Sequence, residues 1–390
     1  MISNVDRGFP PAEFEARVER AQALMAEEKL DGLFLTSGDN IRYFSGSFGG
    51  SNTRPCFMLV PAVGAPIAIV PALREGSMRD TWITDIRSWP SPCPEDDGTT
   101  SVVAALTELP RRFGRVAAEF GLEMRIGLPI LQLNEIVKRL SGVELVDGSA
   151  LLWALRMIKS DAEVAKIQRA TDIAGAVFVQ VPNFVHIGDS ESTIHHRFRV
   201  RLLEEGASEA SLTCRAGQGG PSYIAEGARN RQISDGDLLF IDAGAAYGDY
   251  VCDYNRNYQV GKASDALLFA HERIWDANEV GLRAAVPGVT AGHVFEEMAK
   301  VLSSGHRGEL NKNGRMGHGL GLQVEPPSIK VGDNTLLKPG MVLCIEPALE
   351  YEPGKLIIHE ETVVITDDGA RLLTQRAPKQ LEQISLERSI

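Results

Sequence analysis

Five residues in the second half of the chain place metal-binding side chains in apolar or glycine-rich surroundings. They are Asp242, Asp253, His318, Glu346 and Glu360. The stretch 238–261 reads as two strands that each deliver a carboxylate. The histidine lies among four glycines in GRMGHGLG, and each glutamate follows or interrupts an apolar run. A carboxylate in such surroundings is costly unless it is paired, protonated or bound to a cation.

Two aspartates, one histidine and two glutamates form the ligand set of a dinuclear site for Mn, Fe, Co or Zn. Carboxylates that bridge two cations let them share one hydroxide, which is a nucleophile near neutral pH. Each residue alone has an ordinary explanation, such as a hairpin turn, a hydrogen-bonded loop histidine or a solvent-facing strand acid. Their occurrence in order, at strand ends, in strands or on a glycine loop, favours the metal site.

The elements that must position these residues fall into two predicted domains, 1–156 and 157–390. The first mixes helices with strands: an amphipathic helix after Pro10-Pro11, a hairpin over 57–71, a helix from about Val102 to Phe120 and a strand at 125–128. An α/β domain is the economical interpretation.

The second predicted domain begins near a capping box, in which Ser160 and Glu163 satisfy backbone donors at a helix start. Further helices are predicted over 190–205, 264–285 and 291–303, and the intervening strands are mostly antiparallel. The predicted fold class of this domain is α+β, with Glu360 and Glu361 in the middle of one strand.

Composition limits the possible partners and compartment. The net charge of −12 argues against general affinity for nucleic acid or an anionic membrane. The N-terminus shows no signal-peptide pattern, and no apolar run reaches membrane-spanning length. The five cysteines are odd in number, scattered and without CxxC spacing, which is typical of reduced thiols. A cytoplasmic protein is therefore expected.

The motifs IDAGAAYGDYVCDYNRNYQVG, GHGLGLQVEPP, IEP and HEETVVITDDG resemble those of the pita-bread metallohydrolases: methionine aminopeptidase, prolidase, aminopeptidase P and creatinase. The opening GFPPAEFEARVERAQALMAEEKLDGLFLTSGDNIRYFSG and the segment IKSDAEVAKIQRA resemble the prolidase and creatinase branch, which carries an extra N-terminal domain. The resemblance covers nearly the whole chain. It implies a pita-bread (creatinase/aminopeptidase-like) catalytic domain behind an N-terminal α/β domain.

The resemblance also implies roles for individual residues. Asp253 and Glu360 would bridge two divalent ions, Asp242 would bind one ion, and His318 with Glu346 would bind the other. Manganese is among the ions such a site accepts. The resemblance further implies a homodimer in which the N-terminal domain of one subunit borders the partner's active site. We expect Arg256 to support the metal-bearing strands through a hydrogen bond.

The sequence departs from the peptidase pattern at two assisting histidines. Where the peptidases read GHGLGLDVHExP, this chain reads GLQVEPP, with Glu325 at or next to the place of the second histidine. No histidine lies about 17 or 18 residues before Asp242 either. In the peptidases these imidazoles position the scissile carbonyl and stabilise its developing charge.

Four residues are candidates for the substrate pocket besides Glu346. Glu325 is either an acid ahead of Pro326-Pro327 with no catalytic role, or an acid–base group or clamp for a cationic substrate group. Tyr223, together with Glu226, is a weaker candidate for the same pocket. Tyr43 of the first domain is a candidate through the dimer interface, with an ordinary surface or core role as its alternative.

The prediction is a dinuclear metal-dependent hydrolase resembling Xaa-Pro dipeptidase or aminopeptidase P, in which metal-bound hydroxide attacks an amide carbon of a dipeptide. Glu346 would shuttle the proton. One alternative is a non-peptidase member of the family that acts on a small amidine, lactam, creatine-like compound or betaine or sulfonium osmolyte, as a hydrolase or as a lyase of dimethylsulfoniopropionate. A second alternative is a non-catalytic binding protein.

Overall fold

The computed structural model describes residues 8–47, 53–303, 309–310 and 314–385. Between Arg156 and Met157 the chain divides into two compact units. None of the helices in the described ranges combines the length and apolar composition that crossing a membrane requires. The assignment of 157–390 as the catalytic domain stays a prediction.

The first unit is built on one mixed sheet of six strands in the order β4-β3-β2-β1-β5-β6. Its strands are β1 Gly32–Leu35, β2 Phe57–Pro61, β3 Ile67–Pro71, β4 Asp85–Trp89, β5 Arg115–Ala118 and β6 Glu144–Asp147. Its helices are α1 Pro11–Glu28, α2 Gly38–Ser45, α3 Glu75–Arg79, α4 Thr99–Glu108, α5 Ile130–Arg139 and α6 Ser149–Met157. Strand β1 runs antiparallel to β2 and parallel to β5. The predicted α/β architecture and the hairpin over 57–71 are confirmed.

The predicted helix from Val102 to Phe120 is wrong in its second half. Helix α4 stops at Glu108, just before Pro110, which has no amide hydrogen to continue the helical ladder. The chain then turns at Gly114, whose φ of 71° suits a residue without a side chain, and enters β5.

The strand predicted at 125–128 is also wrong. Gly127 donates its amide hydrogen to the hydroxyl oxygen of Thr36 over 2.8 Å, and not to a neighbouring strand. A strand forms only where its backbone groups find partners on another strand. The apolar alternation of this segment therefore reflects packing of an irregular stretch.

The second unit contains five helices and thirteen strands within the described ranges. The helices are α7 Asp161–Phe178, α8 Val181–Phe184, α9 Glu191–Glu204, α10 Asp265–Ala284 and α11 Ala291–Ser303. The strands are β7 Glu209–Gln218, β8 Asp237–Tyr247, β9 Tyr250–Val251, β10 Tyr254–Val260, β11 Glu309–Leu310, β12 Gly317–Leu320, β13 Val324–Ser328, β14 Val342–Ile345, β15 Ala348–Glu352, β16 Lys355–Ile358, β17 Glu361–Thr366, β18 Gly369–Leu372 and β19 Glu382–Ile384. The predicted helices and the α+β class are confirmed.

Helix α7 begins at the predicted capping box. The Ser160 hydroxyl accepts from the amide of Glu163, and the Glu163 carboxylate accepts from the amide of Ser160 over 2.8 Å. The second carboxylate oxygen of Glu163 accepts from the Tyr250 hydroxyl over 2.7 Å. The helix start is thereby tied to the segment just before Asp253.

Two sheets of the second unit each pack one face against helices, and the residues of the opposite face include candidate ligands. In the sheet β19-β10-β8-β7, alternate residues such as Leu239 and Ile241 join the core formed with helices α7 and α9. In the sheet β13-β12-β14-β17-β18, Leu343 and Val363 join the core formed with helices α10 and α11. Because strand side chains alternate, the intervening residues point away from the helices.

Two details of the ligand-bearing strands differ from expectation. Asp242 lies in the middle of β8, because the strand continues to Tyr247, and not at a strand end. The predicted strand through Glu360 is interrupted: β16 ends at Ile358 and β17 begins at Glu361. Glu360 stands next to Glu361, and adjacent residues of an extended segment point to opposite faces of the sheet.

Candidate metal centre

The second unit brings the five predicted ligands together from five separate chain segments. Asp242 comes from β8, Asp253 from the residues between β9 and β10, and His318 from β12. Glu346 follows directly after β14, and Glu360 directly precedes β17. We call these five residues the acidic cluster.

Short distances connect members of the acidic cluster. The Nε2 atom of His318 lies 3.6 Å from Oδ2 of Asp253 and 3.6 Å from Oε1 of Glu346. Ligand atoms of Asp253, His318, Cys344 and Glu360 lie within 4.8 Å of one another. Asp242 is a neighbour of Asp253, and each affects the pKa of the other.

His318 is held as a neutral imidazole with one free nitrogen. Burial, together with the nearby charge of Arg315, lowers its pKa to about 4. Its Nδ1 lies 3.0 Å from the carbonyl oxygen of Gly319, so this nitrogen carries the hydrogen. The Nε2 lone pair therefore faces the carboxylates, which is the state that binds a metal ion.

The carboxyl groups of the acidic cluster all resist ionisation. Burial raises the pKa of Asp242 to about 6 and that of Glu346 to about 7. Burial, reinforced by the charges of neighbouring acids in the cluster, raises the pKa of Asp253 and of Glu360 well above the ordinary range. Four acids that disfavour one another's charge would be stabilised by a bound cation.

Two buried oxygens make the fit to divalent cations specific. Oδ1 of Asp242 and Oε1 of Glu360 are buried and have no hydrogen-bond partner in the described part of the chain. Buried oxygens normally accept hydrogen bonds, so unpartnered ones point to a missing ligand. Oxygen donors with one imidazole suit Mn, Fe, Co or Zn. The donor set therefore fits the cations that the resemblance implies.

Sequence reasoning missed two residues that support the site. Cys344 pairs with His318 across β12 and β14, and its thiol contacts the carbonyl oxygen of Asp253 over 3.3 Å. Burial raises the pKa of Cys344, so it stays a thiol. Thr362 donates its hydroxyl hydrogen to the same Asp253 carbonyl over 2.6 Å. The alternation of β14 could have shown that Cys344 and Glu346 share a face.

Side chains from β10 hold the segment that carries Glu360. The amides of Asn255 and Asn257 both donate to the carbonyl oxygen of Ile358, over 2.9 Å and 2.6 Å. Arg256 donates to the carbonyl oxygen of Glu360 over 3.1 Å. The supporting role expected for Arg256 is thus present in the structure, and it orients a ligand without contacting its carboxylate.

Glu325 forms a buried ion pair. Its Oε2 lies 2.8 Å from Nζ of Lys159, and both side chains are 1% exposed. Glu325 also pairs with Gly319 in the β12–β13 register. Its Oε1 atom lies so close to Gly321 that a Cβ at this position would be only 2.7 Å away from it. These contacts support the backbone next to His318, and an acid–base role for Glu325 stays a prediction.

Tyr223 lies on the loop after β7, with 41% of its surface exposed. The guanidinium carbons of Arg215 and Arg229 lie 4.8 Å and 5.5 Å from its ring centroid. Its hydroxyl accepts from Arg229 over 3.4 Å. The predicted substrate contact stays a prediction, but the ring is bound to two arginines on its own unit.

Tyr43 is an interior residue of the first unit. It is 2% exposed, and the Arg17 guanidinium carbon lies 4.4 Å from its ring centroid. Its hydroxyl accepts from Arg20 over 3.1 Å and donates to the carbonyl oxygen of Leu155 over 3.3 Å. These contacts give it a core role within that unit, and a substrate contact across a dimer interface stays a prediction.

Both units match known families. Residues 165–367 match the model of metallopeptidase family M24, and residues 17–158 match that of the creatinase/prolidase N-terminal domain. The probable dipeptidase PepE of Mycobacterium tuberculosis is 27% identical over 367 residues, which cover 93% of this chain and 95% of that protein. An Xaa-Pro dipeptidase of Pyrococcus horikoshii is 28% identical over 256 residues, 65% of this chain and 73% of that protein.

Solved structures share the fold along the whole chain. Dipeptidase PepE from Mycobacterium ulcerans has a TM-score of 0.83 at 28% identity, covering 97% of this chain and 99% of that one. The prolidase of Pyrococcus horikoshii has a TM-score of 0.81 at 22% identity, covering 94% of this chain and 100% of that one. The pita-bread fold predicted from the sequence is confirmed by these likenesses.

Proposed function

The chain belongs to metallopeptidase family M24 and is a metal-dependent hydrolase, and on that premise we propose that it is a dinuclear dipeptidase that cleaves Xaa-Pro dipeptides. The observation that carries the proposal is the acidic cluster with its two unpartnered buried oxygens. The named dipeptidases similar to this chain over most of its length favour a peptidase over the non-peptidase alternatives.

The five residues of the acidic cluster would hold two divalent ions, with Asp253 and Glu360 shared between them. When bound, such ions lower the pKa of water and polarise a carbonyl oxygen. Mn, Fe, Co and Zn all suit the donor set, and availability decides among them.

Glu346 is the residue we propose for proton transfer. It lies after β14, 3.6 Å from His318 Nε2, and its carboxyl group is only partly exposed. We propose that it takes a proton from the attacking water and delivers it to the leaving amide nitrogen. Arg315, whose Nε lies 3.6 Å from Oε1 of Glu346, restrains the carboxylate on its solvent side.

The test combines metal analysis with a substrate panel. Protein purified without chelator should contain close to two transition-metal ions per chain and should hydrolyse Ala-Pro and Gly-Pro. Glu346→Gln should lose on the order of a thousandfold in kcat, since proton transfer contributes about 10²–10⁴-fold. The exposed Glu352→Gln on β15 is the matched control and should keep the parental rate.

Two results would count against the proposal. One is the absence of Xaa-Pro hydrolysis after Mn, Co or Zn is added. The other is turnover of small cyclic amides or onium compounds with no turnover of any dipeptide, which would move the protein to the non-peptidase alternative.

We also propose a cytoplasmic homodimer. The five cysteines form no disulfide in the structure, which suits a reducing compartment. The dimer rests on the resemblance to the prolidase and creatinase branch. Light scattering on a size-exclusion column should give twice the chain mass of 42.4 kDa, and a monomer would contradict this part of the proposal.

A further inference from the structure

An arginine lies on the same sheet face as the acidic cluster without belonging to it. In the β7–β8 register Thr213 pairs with Asp242, and Arg215 pairs with Phe240. Paired residues and residues two apart share a face of a sheet. Arg215 therefore projects from the face that carries Asp242, about 7 Å further along the strand. That spacing is within the length of a dipeptide.

Arg215 is fully buried but poorly satisfied. Its side chain is 0% exposed. Its Nη1 lies 3.4 Å from Oε2 of Glu191, and its Nη2 lies 3.3 Å from Oε2 of Glu226. Its Nε has no hydrogen-bond partner in the described part of the chain. A guanidinium has five donor hydrogens, and a carboxylate can accept two of them in parallel.

The first of the two carboxylates, that of Glu191, accepts most of its hydrogen bonds from groups other than Arg215. Glu191 accepts from the backbone amides of Ala216 and Arg229, each over 3.0 Å. It also accepts from Nε and Nη2 of Arg229, over 3.0 Å and 2.8 Å. This bidentate pairing leaves Arg215 with a single long contact to Glu191.

The second carboxylate, that of Glu226, can move away from Arg215 into solvent. Glu226 has 72% of its side chain exposed, although it contacts an arginine that has none. Tyr223, 41% exposed, covers the same guanidinium from the same loop. Moving Glu226 into water costs the acid itself little, because most of its side chain is already exposed. The buried arginine would then need another anion.

We propose that Arg215 binds a carboxylate of the substrate and that Glu226 occupies this position until the substrate arrives. The inference rests on the proposed dipeptidase function and assigns its substrate specificity. The carboxylate is either the C-terminus of the dipeptide or an acidic N-terminal side chain. Substrates without a carboxylate leave Glu226 in place and gain nothing from Arg215.

The test uses two pairs of substrates with the metal-replete enzyme. Ala-Pro against Ala-Pro amide reports on the C-terminal carboxylate. Glu-Pro amide against Gln-Pro amide reports on the side-chain carboxylate. The carboxylate member of one pair should show a KM about tenfold lower, the size expected for one charge-assisted contact. Equal KM values within both pairs would overturn the proposal.

Glu226→Gln is the informative variant because it removes the competing charge but keeps the shape of a side chain that is 72% exposed. It should lower KM for the preferred carboxylate substrate about three- to tenfold relative to KM for the matching amide, since the introduced amide competes weakly for a guanidinium. Glu209 is an exposed acid on β7, the strand that carries Arg215, and Glu209→Gln is the control for the change in net charge. Arg215→Lys should abolish the preference between pair members. An equal effect of Glu226→Gln on acid and amide would contradict the inference.

A binding measurement separates this inference from the proposed function. If no dipeptide is cleaved, the dipeptidase proposal fails by itself. Calorimetry with chelator-treated protein then compares L-proline with L-prolinamide and L-glutamate with L-glutamine. Tighter binding of one acid, strengthened in Glu226→Gln, would support the carboxylate site. Equal binding of acid and amide, or no binding, would overturn it.

Discussion

Glu360 and Glu361 are neighbours in the chain but belong to opposite electrostatic surroundings. Glu360 lies in the acidic cluster, where burial and three other acids raise its pKa. Glu361 is equally buried, yet Arg256, at 3.1 Å, and His359 hold its pKa far below the ordinary range despite the opposing effect of burial. Its second oxygen lies 3.1 Å from Arg376. We call Glu361, Arg256, His359 and Arg376 the paired cluster.

The comparison separates two uses of a buried carboxylate. In the paired cluster, the protein supplies the compensating cations, so the charge stabilises the fold. In the acidic cluster, the neighbouring groups are mostly other acids, so compensation must come from a bound cation. Because successive residues of an extended strand point to opposite faces of the sheet, these two adjacent glutamates enter different regions.

The largest expected effect comes from Glu360→Gln. Turnover should fall by on the order of a thousandfold, because a shared ligand is lost and metal ions contribute several kcal/mol to such reactions. Bound metal, measured by mass spectrometry, should fall as well. The unfolding free energy of the chelator-treated variant should not decrease, since a neutral amide is easier to bury than a charge. Retention of both ions and of turnover within tenfold would contradict the ligand assignment.

Glu361→Gln should have the reverse profile. The unfolding free energy should drop by about 3–5 kcal/mol, because the buried Arg256 and the partly buried Arg376 lose this carboxylate. Metal content at saturating metal should stay near the parental value, since Glu361 is not among the ligands. Denaturant unfolding and metal analysis of the same samples check both parts. A stable Glu361→Gln protein that has lost its metal would reverse the roles of the two glutamates.

A pH series sharpens the contrast through Glu346. Its pKa is about 7 in the folded protein against 4.5 in the unfolded chain. A raised pKa stabilises the fold below the unfolded value, and this stability is lost as pH rises through 7. Chelator-treated Glu346→Gln should therefore match the parent at pH 4.5 and exceed it by on the order of 2–3 kcal/mol at pH 8.

Glu361→Gln is the control for that series. The lowered pKa of Glu361 gives stability that is present above the unfolded value of 4.5 and is lost only in stronger acid. The gap between Glu361→Gln and the parent should therefore show no step near pH 7, because Glu361 is ionised throughout that range and its effect on the pKa of His359 matters only below 6.5. If the difference in unfolding free energy between Glu346→Gln and the parent also shows no step near pH 7, burial does not disfavour the ionised form of Glu346.

The smallest expected effect tests the ion pair between Lys159 and Glu325. Replacing both residues by Met should change the unfolding free energy by less than about 1 kcal/mol, since apolar groups of similar volume often replace a buried pair without loss. Turnover should stay within about tenfold if Glu325 only supports the His318 strand. A loss of about 10²–10⁴-fold with the fold intact would instead establish an acid–base role.

The five proposed ligands, which the fold brings together, could be singled out because each stands in a local context that ordinary packing does not explain, such as a histidine among glycines. The sequence alone could not separate the environments of Glu360 and Glu361, because the arginines that decide it are distant in the chain. The same reason hid Lys159 as the partner of Glu325. The helix predicted from Val102 to Phe120 was too long for a local reason: the apolar periodicity continues past Pro110, next to which α4 ends.

The ligands also emerge during synthesis in a fixed order. Asp242 and Asp253 leave the ribosome first, and Glu360 follows only after strands β10 to β16 have been made. A nascent chain therefore exposes half a binding site that has acids but no imidazole. A complete set of the five proposed ligands therefore exists only once the chain has been made through Glu360 and has folded, so metal binding at this site would be coupled to late folding.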